Sequence, residues 1–138
     1  MRVEITTEAL ATIRAAAAAD PMREVCGLLF GAPGLIARAE PAANVATRPA
    51  DRFEIDPRAL FAALREERGG GERLVGYYHS HPGGDPTPSR TDAEQAAADG
   101  RLWLIIGGDT VAAWRAGPDG ERHRRFDRVE LAVSAVAG

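Results

Sequence analysis

Gly76-Tyr77-Tyr78-His79-Ser80-His81-Pro82, continued by Gly83-Gly84-Asp85-Pro86-Thr87-Pro88 and Ser89-Arg90-Thr91-Asp92, is the stretch that decides how this chain is read. The run Leu74 to Tyr78 predicts a short buried strand. Side chains two apart on a strand share a face, so His79 and His81 at its end present their imidazoles to one side. The prolines and glycines from Pro82 to Pro88 fit neither a strand nor a helix interior, and the chain must turn there before Ser89 opens a helix. Asp92 falls in the first turn of that helix, which returns a carboxylate to the two histidines. Three protein ligands and a fourth position open to water describe a catalytic zinc site better than a structural one.

Outward from this stretch, strand and helix signals are mixed. Val3 to Ile5 predicts a short strand. Thr6 or Thr7 is an N-cap for a helix reaching Asp20, with Leu10, Ile13 and Ala17 on one face and Pro21 ending it. Val25 to Phe30 is a central strand, and Ala32-Pro33-Gly34 a hairpin turn into Leu35 to Glu40. Pro41 to Arg52 reads as irregular and Phe53 to Ile55 as a brief strand. Asp56-Pro57 heads a helix to about Arg68, buried through Leu60, Phe61 and Leu64 and stopped by Gly69-Gly70-Gly71. After the histidine loop a helix is expected from Ser89 to Ala98, then an apolar strand Leu102 to Gly107 and its neighbour Thr110 to Ala116. Gly117-Pro118-Asp119-Gly120 is a turn before an outer strand Glu121 to Asp127 and a C-terminal segment Val129 to Val136. The expected class is α/β of the α+β type, a mixed, mostly antiparallel sheet flanked by helices.

At 138 residues, 45% hydrophobic and 27% charged, the chain has the size of one domain, residues 1–138, with a single core. A net charge of −3 offers no basic face for nucleic acid. No apolar run approaches the ~18 residues a membrane span needs, and Met1 to Ile5 lacks an apolar signal core, so the expected compartment is the cytoplasm. The one cysteine, Cys26, rules out an internal disulfide and reads as a small buried apolar group. All 17 basic residues are arginine, which with abundant Ala, Gly and Pro reflects a GC-rich codon bias and leaves no lysine for isopeptide conjugation. Trp103 and Trp114 read as core, and His123 among Arg122, Arg124 and Arg125 as a solvated outer strand.

The order His-x-His, seven residues, Ser, two residues, Asp, filled by His79, His81, Ser89 and Asp92, resembles the signature of the JAMM, or MPN-plus (Mov34/MPN/PAD-1), zinc metallopeptidases. Pro21 to Gly31 is similar to the segment carrying that family's catalytic glutamate, which falls on Glu24. The residues alone leave Glu24, Glu54 and Asp85 open for that role, and the resemblance selects Glu24. It implies an MPN/cytidine-deaminase-like fold, one Zn²⁺ per chain held by His79, His81 and Asp92, Glu24 as general base, and Ser89 donating to the developing oxyanion. It further implies (iso)peptidase cleavage after the C-terminal Gly-Gly of a ubiquitin-like β-grasp protein. Only about ten residues separate Asp92 from the next strand, which matches the compact prokaryotic branch and its small sulfur-carrier substrates. A homodimer is compatible with the resemblance.

Three other classes are weighed. A cupin-like metal-binding protein also carries His-x-His on a strand, with an acidic ligand about four residues on, here Asp85, but that fold is nearly all strand. A non-catalytic MPN scaffold lacks the ligands, all of which are present here. Zinc deaminases need Pro-Cys-x-x-Cys, which a single cysteine forbids. Ser89-Arg90-Thr91-Asp92 also fits a helix capping box, a reading compatible with ligation by Asp92.

Overall fold

The computed structural model describes residues 2–134. Seven strands and three helices follow one another as β1 (Arg2–Thr6), α1 (Thr7–Ala19), β2 (Cys26–Ala32), β3 (Leu35–Ala42), α2 (Pro57–Arg68), β4 (Arg73–Ser80), α3 (Arg90–Gln95), β5 (Leu102–Gly107), β6 (Thr110–Gly120) and β7 (Arg124–Ser134). The strands form a mixed sheet in the order β1-β3-β2-β4-β5-β6-β7 that closes on itself through β1 and β7. Pairing is antiparallel at β2·β3, β2·β4, β5·β6 and β6·β7 and parallel at β1·β3, β4·β5 and β1·β7. The β1·β3 seam is short, joining only Glu4 to Leu35 and Ile5 to Ile36.

Strands β2, β4 and β5 are buried on both faces, as their near-continuous apolar runs require. On one face Leu29, Tyr78, Leu104 and Ile106 pack with Val3, Ile5 and the Ala9–Ile13 stripe of α1. On the other, Cys26, Trp103, Ile105 and Phe126 pack with Phe53, while Leu28, Phe30 and Leu74 meet Ala63 of α2. Side-chain alternation along β4 sends Tyr78 to the first face and Tyr77 and His79 to the second.

Four expectations are corrected. Phe61 is 62% exposed, because consecutive helix residues point 100° apart and the α2 stripe that turns inward is Ala59-Leu60 and Ala63-Leu64. Helix α3 stops at Gln95 rather than Ala98: Ala97 and Ala98 are exposed, and alanine propensity without a buried face does not extend a helix this short. Gly117 to Gly120 is no turn but the bulged end of β6, where Ala116↔Phe126 is followed by Gly120↔Arg124. Pro118 sits in that bulge, where a missing N–H costs no ladder bond. The turn comes at residues 121–123, and the expected outer strand and C-terminal segment are one strand, β7. Residues 135 and 136 of the expected segment lie outside the described residues. Finally, Phe53 to Ile55 is reduced to one bridge, Asn44↔Ile55.

Candidate metal centre

The end of β4 and the segments beside it gather four ligand-type side chains, Glu24, His79, His81 and Asp92, with one donor atom of each within 4.8 Å of all the others. Each arrives by a different local cause. His79 is the ladder partner of Cys26 and of Ile105, which places it between two strands and fully buries it. Phe53 stacks on its ring at 4.3 Å between centroids, and Trp103 meets it edge-on at 5.6 Å. His81 follows the last residue of β4. Its N–H is bonded to Ile106 O at 2.9 Å and its Nδ1 lies 2.6 Å from Asp85 O. Nδ1–H therefore donates to that carbonyl, which turns Nε2 toward the cluster.

Asp92 is brought in by a helix cap. Ser89 Oγ accepts the Asp92 N–H at 3.0 Å, and Asp92 Oδ2 accepts the Ser89 N–H at 2.9 Å, a reciprocal capping box. The same Oδ2 stands 3.1 Å from Nε2 of both histidines, whose Nε2 atoms are 3.0 Å apart. The cap and the cluster thus use one carboxylate, as the sequence allowed. The Pro/Gly loop between them is pinned by ring N–H groups. Trp114 Nε1 donates to Pro86 O at 3.0 Å, and His123 Nε2 lies 3.2 Å from Pro88 O. His123 is therefore more than a solvated strand residue; it sits in the β6–β7 turn with φ of 52°.

Glu24 precedes β2, so no strand ladder holds it. Its N–H donates to Pro49 O at 2.7 Å, its carbonyl accepts from Asn44 Nδ2 at 2.8 Å, and the next N–H, of Val25, donates to Ser80 Oγ at 2.9 Å. Ser80 points away from the two histidines and ties their strand to the Glu24 segment. The Glu24 side chain is 6% exposed and its Oε1 has no hydrogen-bond partner among the described residues. Burial, reinforced by the charge of Asp92, pushes its pKa from 4.5 up to about 7.

The electrostatics around it are uneven. Burial holds His79 below the usual imidazole value, and so neutral. Around His81 burial acts in the same direction but is outweighed by Asp92 and the Asp85 carbonyl, and its pKa is raised. Asp92 is ionised: burial alone would raise its pKa, yet the bonds from His79 and His81 and the Ser89 N–H hold it well below the carboxylate range. Three ligand-type atoms at 3.0–3.1 Å from one another, beside a second buried carboxylate with an unsatisfied oxygen, fit a single divalent cation. The donor set of imidazole nitrogens and carboxylate oxygen suits zinc.

Asp85, the acidic ligand a cupin-like reading required, is not in the cluster; its Oδ1 accepts the Thr87 N–H at 3.0 Å, and its backbone carbonyl orients His81. Glu54 is also absent from it. Cys26 lies beneath, its Sγ 3.6 Å from Ala42 O, with burial pushing the thiol up to about 12, a structural role as expected. Ser80, Asn44 and Phe53 are the residues that sequence reasoning missed. The only local hint was Asn44 in an irregular run, and an isolated Asn there reads as a turn residue.

Comparison with known proteins agrees with this geometry. Residues 6–117 match the family model described as prokaryotic homologs of the JAB domain. The chain is 41% identical over 102 residues to a desampylase of Haloferax volcanii, covering 72% of this chain and 73% of that protein. It is 36% identical over 87 residues to a probable TtuB-protein conjugate cleaving protease of Thermus thermophilus, covering 62% of this chain and 57% of the other. A JAB1/MPN domain protein of Archaeoglobus fulgidus shares the fold, with a TM-score of 0.60 at 20% identity over 96% of this chain and 98% of that one. The match over most of its length shows that the chain belongs to the prokaryotic homologs of the JAB domain.

Proposed function

We propose that the protein is a zinc-dependent isopeptidase that releases ubiquitin-like proteins by hydrolysing the bond after their C-terminal Gly-Gly. The observation that carries this reading is a buried carboxylate, Glu24, with one oxygen unsatisfied, within 4.8 Å of a His79-His81-Asp92 donor set. The names of the relatives, a desampylase and a conjugate cleaving protease, support it. A zinc ion held there would supply Lewis acidity, enough to make a water ionise near pH 7.

Glu24, with its unsatisfied oxygen beside the cluster, would hold a proton there as general base and pass it to the leaving amine as general acid. His79 and His81, through Nε2, and Asp92, through Oδ2, would hold the metal. Ser89 Oγ accepts the Asp92 N–H, which leaves its own hydrogen free to donate to the developing oxyanion. Beyond Ile36 the outer edge of β3 pairs with no strand among the described residues, and it runs to Ala42, the ladder partner of Cys26. An extended tail added along that edge gains backbone hydrogen bonds and is led toward Glu24. Glycine at the last two tail positions lets the backbone approach the cluster with no Cβ in the way. The free thiol of Cys26 is in keeping with work in the cytoplasm.

The test is a β-grasp sulfur-carrier protein extended or conjugated beyond Gly-Gly, with products read by mass spectrometry. Cleavage after the second glycine is expected, with kcat/KM at least about tenfold lower, ~1.4 kcal/mol, when that glycine is alanine. Trimming of unfolded casein at many sites, with the carrier left intact, would replace this reading with a general metallopeptidase.

A further inference from the structure

Asn44 stands just after β3 and makes four side-chain hydrogen bonds. Its Nδ2 donates to Glu24 O at 2.8 Å and to Arg52 O at 3.0 Å, and its Oδ1 accepts the N–H groups of Ala46 and Glu54, each at 3.0 Å. That is the full capacity of a carboxamide, and because the partners are two carbonyls and two amides the orientation of the group is unambiguous. Three segments meet there: the lead-in to β2 that carries Glu24, the run 44–46, and the run 52–54. The last of these carries Phe53, whose ring stacks on His79 at 4.3 Å. Backbone bonds from Val45 N–H to Glu54 O at 2.8 Å and from Asp56 N–H to Ala43 O at 3.1 Å continue the joint.

We infer that Asn44 is a positioning residue that sets the Glu24 carboxylate and the Phe53 wall of His79 together. Of the three groups that hold the backbone of Glu24 and Val25, Pro49 O and Asn44 Nδ2 at Glu24 and Ser80 Oγ at Val25, Asn44 is the one whose remaining bonds reach both residues flanking Phe53. Without the two Nδ2 donors, the carbonyls of Glu24 and Arg52 lose their side-chain partner, and the cheapest relief is for the two segments to separate. The carboxylate then loses its aim and the imidazole its stacked neighbour. The inference rests on the reading of Glu24 as general base.

The experiment uses the zinc-loaded enzyme and a Gly-Gly-extended β-grasp substrate. Asn44→Asp keeps the shape of the side chain but turns oxygens toward two carbonyls; Asn44→Ser is shorter and keeps one hydroxyl. Arg48→Ala, which removes an exposed partner of Asp51 on the same segment, is the control. For Asn44→Asp a cooperative melt, a kcat at least about thirtyfold lower and release of zinc to a chelator at least about fivefold faster are expected. In a Glu24→Gln background the same substitution should cost less than about threefold more, since both changes act through one carboxylate. Arg48→Ala should stay within about twofold on every count. If Asn44→Asp does not fold, Asn44→Ser takes its place, with a drop of at least about tenfold expected. The inference is overturned if kcat stays within about threefold, or if the full loss recurs in the Glu24→Gln background, as it would for a residue acting only through general stability. Near-normal turnover in Glu24→Gln alone would sink the general-base reading instead, and the zinc-release rate would then still decide whether Asn44 holds the Phe53 wall.

Discussion

At the scale of single residues the cluster is under electrostatic tension. A folded-state pKa of about 7 for Glu24 against 4.5 when solvated means that folding favours the protonated carboxyl. In the metal-free protein this contribution to stability is fully present below pH 4.5 and is lost as pH rises through 7, because the unfolded chain releases the proton first. The loss amounts to about 3 kcal/mol at most. Glu24→Gln cannot ionise, so the stability difference between variant and wild type, both stripped of metal, should grow in favour of the variant between pH 5 and pH 8 and then level off. Thermal melts across that range measure it; a difference that does not change with pH would mean the carboxylate is solvated. The same variant, loaded with zinc, should lose roughly 10²–10⁴ in kcat. His79, His81 and Asp92 were legible because their chemistry and spacing sit in one short segment; Glu24 was legible only through the family resemblance, since the residues alone left Glu54 and Asp85 open. Ser80, Asn44 and Phe53 were not, since these bonds and contacts reach across 10 to 55 positions and only the folded pairing brings the partners near.

Elements decide how firmly those residues are held, and the metal loop shows this best. Its 13-residue span from His79 to Asp92 is fixed at four points: His81 to Asp85 O, Trp114 to Pro86 O, His123 to Pro88 O, and the Ser89–Asp92 box. It also lies flat on the end of β5. A Cβ built on Gly107 would stand 2.6 Å from Gly84 O and 2.9 Å from Asp85 C, both backbone atoms that cannot rotate aside. Gly107→Ala should therefore lift the loop, shift the Asp85 carbonyl that orients His81, and lower zinc affinity by roughly 10–100-fold while the fold persists. Chelator competition reads the affinity and circular dichroism the fold; unchanged affinity would show that the loop tolerates displacement. Sequence pattern found these elements wherever a periodic apolar face or a cap marked them. It failed at the α3 end and at the β6–β7 turn, where Pro118 and two glycines signal a break but the long antiparallel pairing absorbs it as a bulge.

For the molecule as a whole, the question is what the metal does for stability. Closure of the sheet through parallel β1·β7 pairing joins the two ends of the described chain, a feature no local pattern announces. It lets apolar side chains pack in clusters that do not depend on the metal. Val3, Ile5, Ile13, Leu29, Leu104 and Val129 form one, and Leu28, Phe30, Ala63 and Leu74 another, with His79 meeting only the third, around Phe53 and Trp103. A structural zinc site carries the folding energy of its domain, whereas this one sits beside a core already made. Metal-free protein should thus keep its far-ultraviolet circular dichroism at 25 °C and still melt cooperatively. Zinc should nonetheless stabilise, because only the folded state gathers the donor set and the cation would offset the buried charge of Asp92. At a free concentration about a thousandfold above Kd the gain is about 4 kcal/mol. For a chain of this size that corresponds to roughly 15 °C in Tm. Melting curves with zinc and with excess chelator give the difference directly. Collapse of the dichroism on chelation at 25 °C would mean that the clusters cannot stand alone and the centre is structural; no shift at all would mean that the four side chains hold no metal.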